Sequence, residues 1–177
     1  MTDLIVLSTL LAGPKHGYQL KREAGIILGQ GVLHNNLVYP LLHRFMNRGW
    51  VTRRETAGKR GQTRLRYVIT AAGRRELVAK LSTFKQQDAR SSDAFRLRVG
   101  LFQLLAPNTR TAILERREEY LTARVQHLEV LQKNFALNRY SKEVVTQFSV
   151  ETKSELKWIR RLRSAENCRE KKGSENA

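Results

Sequence analysis

The chain has 177 residues, of which 41% are hydrophobic and 28% charged, so it can bury a core, which argues against wholesale disorder. Its 33 lysines and arginines outnumber 16 acidic residues, and the formal net charge of +17 favours a polyanionic partner such as DNA, RNA or an anionic membrane. The single cysteine, Cys168, excludes a disulfide framework and a cysteine-rich metal site.

No stretch of the sequence predicts a membrane span or an export signal. The longest nearly apolar run, residues 4–12, is too short to cross a bilayer, and no basic region precedes it. We therefore expect a cytoplasmic protein without a membrane partner. Residues 1–90 carry 16 basic and 5 acidic groups, whereas residues 91–177 carry 17 and 11, so the first half is the expected footprint of a polyanion.

The N-terminal segment predicts two helices. Residues 3–12 carry leucines at helical spacing, and Gly13 and Pro14 end the segment. Residues 17–28 form the second predicted helix, whose end is marked by a group of glycines.

A third helix is predicted after Asn35 and Asn36, either of which could cap it. Its buried stripe consists of Val38, Leu42 and Phe45. Its opposite, polar face consists of Asn36, Tyr39, His43 and Asn47. Gly49 is the predicted C-terminal stop, and Pro40 is expected near the first turn.

Two short runs, residues 50–56 and 64–70, flank the Gly-rich basic turn AGKRGQT. Apolar and basic residues alternate in the second run, which is typical of a β-hairpin. Thr70 then has the character of a cap for a fourth helix over residues 71–87.

Residues 37–70 therefore have the order of a recognition helix followed by a wing, and they contain eight basic residues against one acid, Glu55. A helix fits the major groove of DNA, and basic turns contact phosphates. The candidate DNA contacts are Asn35, Asn36, Tyr39, His43 and Arg44 on the helix, Lys59, Arg60 and Arg64 on the wing, and Lys15 and Tyr18 at the second helix.

Each group has an ordinary structural alternative. Asn35 and Asn36 could be simple caps and Tyr39 a packing residue, and the basic turn could be a solvated run of charge. Lys15, His16 and Tyr18 could belong to a structural elbow rather than to a phosphate site at a helix N-terminus.

Three blocks resemble the signature stretches of PadR-type winged-helix transcriptional regulators: LAGPKHGYQLKRE (11–23), NLVYPLLHRFMNRGWV (36–51) and RLRYVITAAGRREL (64–77). Their order and spacing agree with the family over about the first ninety residues. The resemblance implies duplex DNA binding, a contact from Tyr39 and a repressor role. Asn36, Leu37 and Met46 depart from the usual family pattern, which bears on the operator sequence.

The second half predicts a separate helical domain. A polar stretch at residues 86–93 marks the boundary, and three apolar stripes follow it. Two antiparallel helices with little further material cannot bury their faces alone, so we expect a homodimer. The candidate dimerisation residues are Phe95, Phe102, Leu114, Leu121, Leu128, Phe135, Phe148, Leu156 and Ile159. This half more weakly resembles the dimerisation region of virulence-activator-like PadR relatives.

The aromatic residues in this half can be interpreted in two ways. Phe102, Phe135, Phe148 and Trp158 are more simply core residues, but they could also line a cavity between protomers for a small-molecule effector, to which relatives of the family respond. We expect no cofactor and no enzymatic activity, since the four histidines lack metal-ligand spacing and no phosphate-binding glycine motif is present.

The sequence thus predicts a mainly α fold with a small β-hairpin. A winged helix-turn-helix DNA-binding domain is expected over residues 1–90, an antiparallel helical dimerisation domain over 91–163 and a disordered polar tail over 164–177. Two rival interpretations stay open: a nucleoid or RNA-associated protein that binds without sequence preference, and an adaptor whose winged helix docks a protein.

Overall fold

The structure, a computed structural model, describes residues 1–27, 29, 31–57 and 63–174. It is mostly helical with a small antiparallel sheet, which confirms the predicted fold class. The chain divides into two compact units, unit 1 (Met1–Thr83) and unit 2 (Phe84–Ala177). The boundary precedes the polar stretch at which we predicted it, because the short helix in that stretch packs onto the helices that follow.

Unit 1 has the helix and strand order of a winged helix-turn-helix domain. Its elements are α1 (Thr2–Thr9) with a 3₁₀ turn (Leu10–Ala12), β1 (Lys15–His16), α2 (Gly17–Ile27), α3 (Asn35–Asn47), β2 (Val51–Ala57), β3 (Thr63–Ile69) and α4 (Ala71–Ser82). The sheet is antiparallel with strand order β1-β3-β2. The two-residue strand β1 was not predicted, because two residues show no periodicity.

The helices of unit 1 bury the predicted apolar stripes. Val38, Leu42 and Phe45 of α3 are fully buried, as the spacing predicted. His34 rather than an asparagine is the N-cap residue of α3. Pro40 lies inside the helix beyond its first turn, so the carbonyl of Asn36 lacks the backbone donor that other residues receive.

A junction of four residues, Gly49, Trp50, Thr70 and Gly73, ties α3, the hairpin and α4 together; we call it the helix–hairpin junction. The Thr70 amide donates to the Trp50 carbonyl at 2.9 Å, and the Thr70 hydroxyl donates to the Gly49 carbonyl at 2.7 Å. The same hydroxyl accepts from the Gly73 amide at 3.0 Å and caps α4, as predicted. Gly49 has a φ of 68°, a conformation suited to glycine at a helix end.

Unit 2 is built on a long antiparallel helical hairpin. Its elements are α5 (Gln86–Ala89), α6 (Ser92–Val99), a 3₁₀ turn (Phe102–Leu104), α7 (Pro107–Asn134) and α8 (Arg139–Ser174). Ion pairs between α7 and α8 run from Lys153–Glu129 to Arg110–Glu166. None of the described helices has both the length and the apolar character needed to cross a membrane.

The helix α8 continues to Ser174, which corrects the prediction of a disordered tail for residues 164–174. Glu166 is buried and accepts from Arg110 at 2.9 Å, so this polar segment is held against α7. Its alanine, glutamates, lysines and arginines are also good helix formers.

The predicted dimerisation residues need correction as well. Six of the nine are buried within this chain: Phe95, Leu114, Leu121, Leu128, Leu156 and Ile159. The third layer that we judged missing is supplied by α5 and α6, where Phe95 meets Trp158 of α8 edge to face at 5.7 Å between ring centres. Phe102 is half-buried, and only Phe135 and Phe148 are exposed.

An arginine, Arg117 of α7, lies in the middle of this core with its side chain 2% exposed. It donates to Glu155 of α8 at 2.8 and 3.0 Å, to the Ser92 hydroxyl at 2.7 Å and to the Ala89 carbonyl. These bonds connect α5, α6, α7 and α8 through one guanidinium group. The charge is tolerated because its donors are satisfied.

Gly73→Ala should destabilise unit 1, because an added Cβ would lie 2.1 Å from the Trp50 carbonyl oxygen. We expect a loss of about 1–3 kcal/mol, typical of overpacking. Urea unfolding followed by Trp50 fluorescence in a Trp158→Phe background measures this, since the chain has two tryptophans. Arg74→Ala, an exposed change on the same helix α4, is the control. Equal losses for the two variants would contradict the importance of the junction.

Arg117→Ala should destabilise unit 2 by about 3–5 kcal/mol, because the largely buried Glu155 carboxylate would lose its cationic partner and keep only the hydrogen bond from the Ser92 hydroxyl. Unfolding is followed by Trp158 fluorescence in a Trp50→Phe background. The control is Lys153→Ala, which breaks an ion pair whose side chains are 51% and 46% exposed. That pair is worth at most about 1 kcal/mol. An Arg117→Ala loss as small as the control's would refute the organising role of this residue.

Candidate nucleic-acid interface

The exposed face of α3 carries the side chains that were predicted to read DNA. Asn36, Tyr39 and His43 are exposed, while the opposite side of the helix is buried in unit 1. Amide, phenol and imidazole groups can donate to and accept from base edges. The helix therefore presents a row of hydrogen-bonding groups on a rigid support.

Tyr39 links this face to the start of α2. A Cβ added at Gly17 would lie 2.9 Å from the Tyr39 hydroxyl oxygen and 3.4 Å from two ring carbons, so the ring packs over this glycine. Tyr39 is nevertheless 37% exposed. Tyr39 can therefore both pack within unit 1 and contact DNA, because one side of the ring lies against Gly17 while another side remains exposed. Burial raises the pKa of the neighbouring Tyr67 hydroxyl, and Tyr39 raises it further.

A lysine that the sequence analysis missed connects α2 to the start of α3. Lys21 Nζ donates to Asn35 Oδ1 at 2.6 Å and lies 5.8 Å from the centre of the Tyr18 ring. Tyr18 is 62% exposed and Asn35 is also exposed. Asn35 is thus held by Lys21 instead of capping the helix, and the three residues form one polar corner beside the α3 face.

The outer side of the sheet carries a second group of basic residues. The strand register sets Arg54 opposite Arg66, and His16 of β1 on the other side of Arg66. The next pair on this side contains Arg64, and all three arginines are exposed. We call these residues, His16, Arg54, Arg64 and Arg66, the basic sheet face.

A histidine orients the central arginine of the basic sheet face. His16 Nδ1 lies 3.0 Å from the Leu65 carbonyl oxygen, and Arg66 Nε lies 3.2 Å from His16 Nε2. Nδ1 must carry the proton to donate to the carbonyl, so Nε2 is the acceptor for Arg66. Arg66 is therefore held by a neutral acceptor and keeps its full positive charge.

The pairing of Arg54 with Arg66 is unfavourable for folding. Like charges directly opposite each other on neighbouring strands destabilise a sheet. On the opposite side of the same strands, Val51, Tyr67 and Ile69 are buried against the core. The outer side therefore suits an anionic partner that would relieve the repulsion. Of the three arginines on this face, only Arg64 was predicted as a contact, although the alternation of residues in the second strand also points to Arg66.

Two of the predicted DNA contacts, Lys15 and Arg44, form ion pairs within unit 1. Lys15 is only 13% exposed and pairs with Glu23 at 2.7 Å, joining β1 to α2. Arg44 donates to both carboxylate oxygens of Asp3 on α1 at 2.8 and 2.9 Å. Each pair holds two elements together; the Lys15 side chain is largely buried, whereas the Arg44 side chain stays 47% exposed. The predicted wing residues Lys59 and Arg60 lie outside the described residues.

One protein-family model and several solved structures are similar to this chain. Residues 6–79 match the Transcriptional regulator PadR-like family. Bacillus subtilis PadR in complex with operator DNA has 19% identity and a TM-score of 0.45, with 93% of this chain and 98% of that chain covered. The same protein in complex with p-coumaric acid has 18% identity and a TM-score of 0.41, with 93% and 98% covered.

A transcriptional regulator from Clostridium thermocellum has 23% identity and a TM-score of 0.43, with 49% of this chain and 84% of that chain covered. No curated protein sequence matches the chain. The family match spans α2, α3, the hairpin and most of α4, and so contains the whole candidate interface. Residues 6–79 of this chain are therefore similar to the PadR-like family of transcriptional regulators.

Proposed function

We propose that the protein is a sequence-specific regulator of transcription that binds double-stranded DNA. The observation that supports this most is the combination of two surfaces in unit 1, the exposed polar face of α3 and the basic sheet face. The contact of Tyr39 with Gly17, next to His16, brings these surfaces together. A helix that offers hydrogen-bonding groups beside the exposed arginines Arg54 and Arg66 matches a base-lined groove flanked by phosphates.

The two surfaces have different tasks in this proposal. Asn36, Tyr39 and His43 on α3 contact base edges in the major groove and supply sequence preference. Arg54 and Arg66 on the sheet contact phosphates, which supplies affinity without preference. The side chain of Lys21 keeps Asn35 at the start of α3, where it is close to the same groove.

The regulator acts as a homodimer in this proposal. Several large apolar side chains of unit 2 are exposed near the turn between α7 and α8 and along the first half of α8: Val130, Phe135, Tyr140, Val144 and Phe148. An exposed apolar group of this kind suits a partner surface. A two-fold dimer would read a pseudo-palindromic operator with half-sites about 10 or 20 base pairs apart.

The proposed regulatory outcome is repression. A dimer bound across a promoter would occlude it, and an effector that changes the arrangement of the two DNA-binding units would relieve the block. The Bacillus PadR structures with operator DNA and with p-coumaric acid are the reason to include an effector.

The formal net charge of +17 favours one rival, a basic protein that binds nucleic acids without sequence preference. Competition separates the two functions. Fluorescence anisotropy with labelled DNA from upstream of the protein's own gene, and with other candidate promoters, should show binding that survives excess random duplex. A preference of about a thousandfold supports the regulator. Binding to every fragment that collapses in step with the competitor supports the rival.

Tyr39→Ala should weaken binding to the operator by about tenfold or more while leaving random DNA nearly unaffected, because it removes a contact to base edges. Arg66→Gln should weaken binding to both and lower the salt dependence by about one charge. Anisotropy titrations at several salt concentrations measure both effects. Arg161→Gln, at an exposed position of α8, is the control for a simple loss of charge. The division of labour is refuted if Tyr39→Ala and Arg66→Gln act alike on both DNAs.

Arg54→Gln should have effects of opposite sign on folding and on DNA binding. Removing one member of the like-charged pair should raise the stability of unit 1 by a few tenths of a kcal/mol at low salt and weaken DNA binding. Thermal melting with and without added salt measures the first effect, and anisotropy the second. Arg75→Gln, an exposed change on α4, is the matched control. A loss of stability at position 54 would contradict the repulsion between Arg54 and Arg66.

A further inference from the structure

Unit 2 contains a cavity of about 190 Å³ whose lining is dominated by arginine. Arg90 and Arg96 line it from the segment around α6, Arg124 from α7, and Phe148 and Glu151 from α8. It lies entirely within unit 2 and shares no residue with the α3 face or the basic sheet face. The DNA-binding proposal therefore leaves this cluster of charge unexplained.

One side of the cavity is formed by an ion pair that is already complete. The Arg117 guanidinium donates to Glu155 Oε1 and to the Ser92 hydroxyl, and the Arg117 and Glu155 side chains are 2% and 11% exposed. Neither charge of this pair is available to a ligand. The pair acts as a neutral, rigid wall that also fixes α6, α7 and α8 around the cavity.

The remaining lining carries an excess of positive charge. Within the described part of the chain, Arg90 and Arg96 make no ion pair. Arg124 donates to the Tyr120 hydroxyl at 3.2 Å, which leaves its charge uncompensated. Glu151 is the acid beside them, and it accepts from Gln147 at 2.9 Å. Three guanidinium groups therefore surround the cavity with a single carboxylate to balance them.

Aromatic rings hold the innermost of these arginines in place. The Arg124 guanidinium carbon lies 5.5 Å from the centre of the Phe148 ring, and the Tyr120 hydroxyl bonds the same group. A guanidinium that stacks on a ring still has donors in its plane for another partner. Arg124 is thus oriented before any ligand arrives.

We infer that this cavity binds a small oxyanion with two negative charges, a dicarboxylate or a phosphate. Guanidinium groups match carboxylate and phosphate oxygens with paired hydrogen bonds. A volume of 190 Å³ corresponds to roughly six water molecules, which suits a four-carbon dicarboxylate or inorganic phosphate. This site is independent of DNA binding, because unit 2 would hold the anion whether or not unit 1 binds DNA; one of its lining residues, Phe148, also belongs to the apolar group proposed for the dimer contact.

Isothermal titration calorimetry of the full-length protein tests the site with succinate and with inorganic phosphate, each at constant ionic strength. Saturable binding of one anion per chain by either probe supports the site. The probe that binds more tightly indicates whether the ligand is a dicarboxylate or a phosphate. Succinamide, a neutral analogue of succinate, should produce no binding heat. The absence of saturable binding by both anions would overturn the inference.

Variants separate a defined site from general attraction to a basic protein. Arg124→Gln and Arg96→Gln should each weaken anion binding by about tenfold, the effect of losing one charged hydrogen bond. Arg161→Gln removes the same charge from an exposed position outside the cavity and should change nothing. Weakening by Arg161→Gln to the same extent would overturn the site. Should Arg124→Gln not fold, the exposed Arg96 position decides the question alone.

Discussion

The helix–hairpin junction is the constraint on which the rest of unit 1 depends. Through it, the hydroxyl of Thr70 donates to the Gly49 carbonyl, just beyond α3, and accepts from the Gly73 amide in the first turn of α4. Strand β2 begins and β3 ends beside these bonds, so the base of the hairpin is tied to both helices. The distance between the α3 face and the basic sheet face is therefore set by backbone contacts, which are less adaptable than side chains. Gly73 is required because the Trp50 carbonyl occupies the space of a side chain.

Whether an arginine or lysine of this basic protein stabilises the fold or remains exposed for a partner depends on the groups beside it. Lys15 and Arg44 have carboxylate partners and join elements of unit 1, while Arg117 is buried and joins the helices of unit 2. The exposed Arg54 and Arg66 instead face each other at some cost to folding. Composition cannot distinguish these roles, although all of them contribute equally to the net charge. A polyanion would bind the positive charges that are not already paired with carboxylates inside the protein.

Much of unit 1 could be predicted because its periodic patterns are long. The buried stripe of α3 and the Thr70 cap of α4 depend only on residue spacing within each helix, and the structure shows both as predicted. Lys21 could not be assigned, because its contact with Asn35 depends on how α2 and α3 pack. The dimerisation residues of unit 2 were misjudged for a related reason: the same apolar stripe serves a partner chain or a third layer equally well, and here α5 and α6 supply that layer.

Selection from a random library of duplex DNA, with the full-length protein as the bait, tests whether the α3 face reads bases. We expect enrichment of one motif, made of two inverted half-sites whose centres lie about 10 or 20 base pairs apart, because a two-fold dimer would present two copies of the α3 face. Recovered sequences with no common motif, from a protein that still retains DNA, would contradict this expectation. In that case the basic sheet face would act without base recognition by α3.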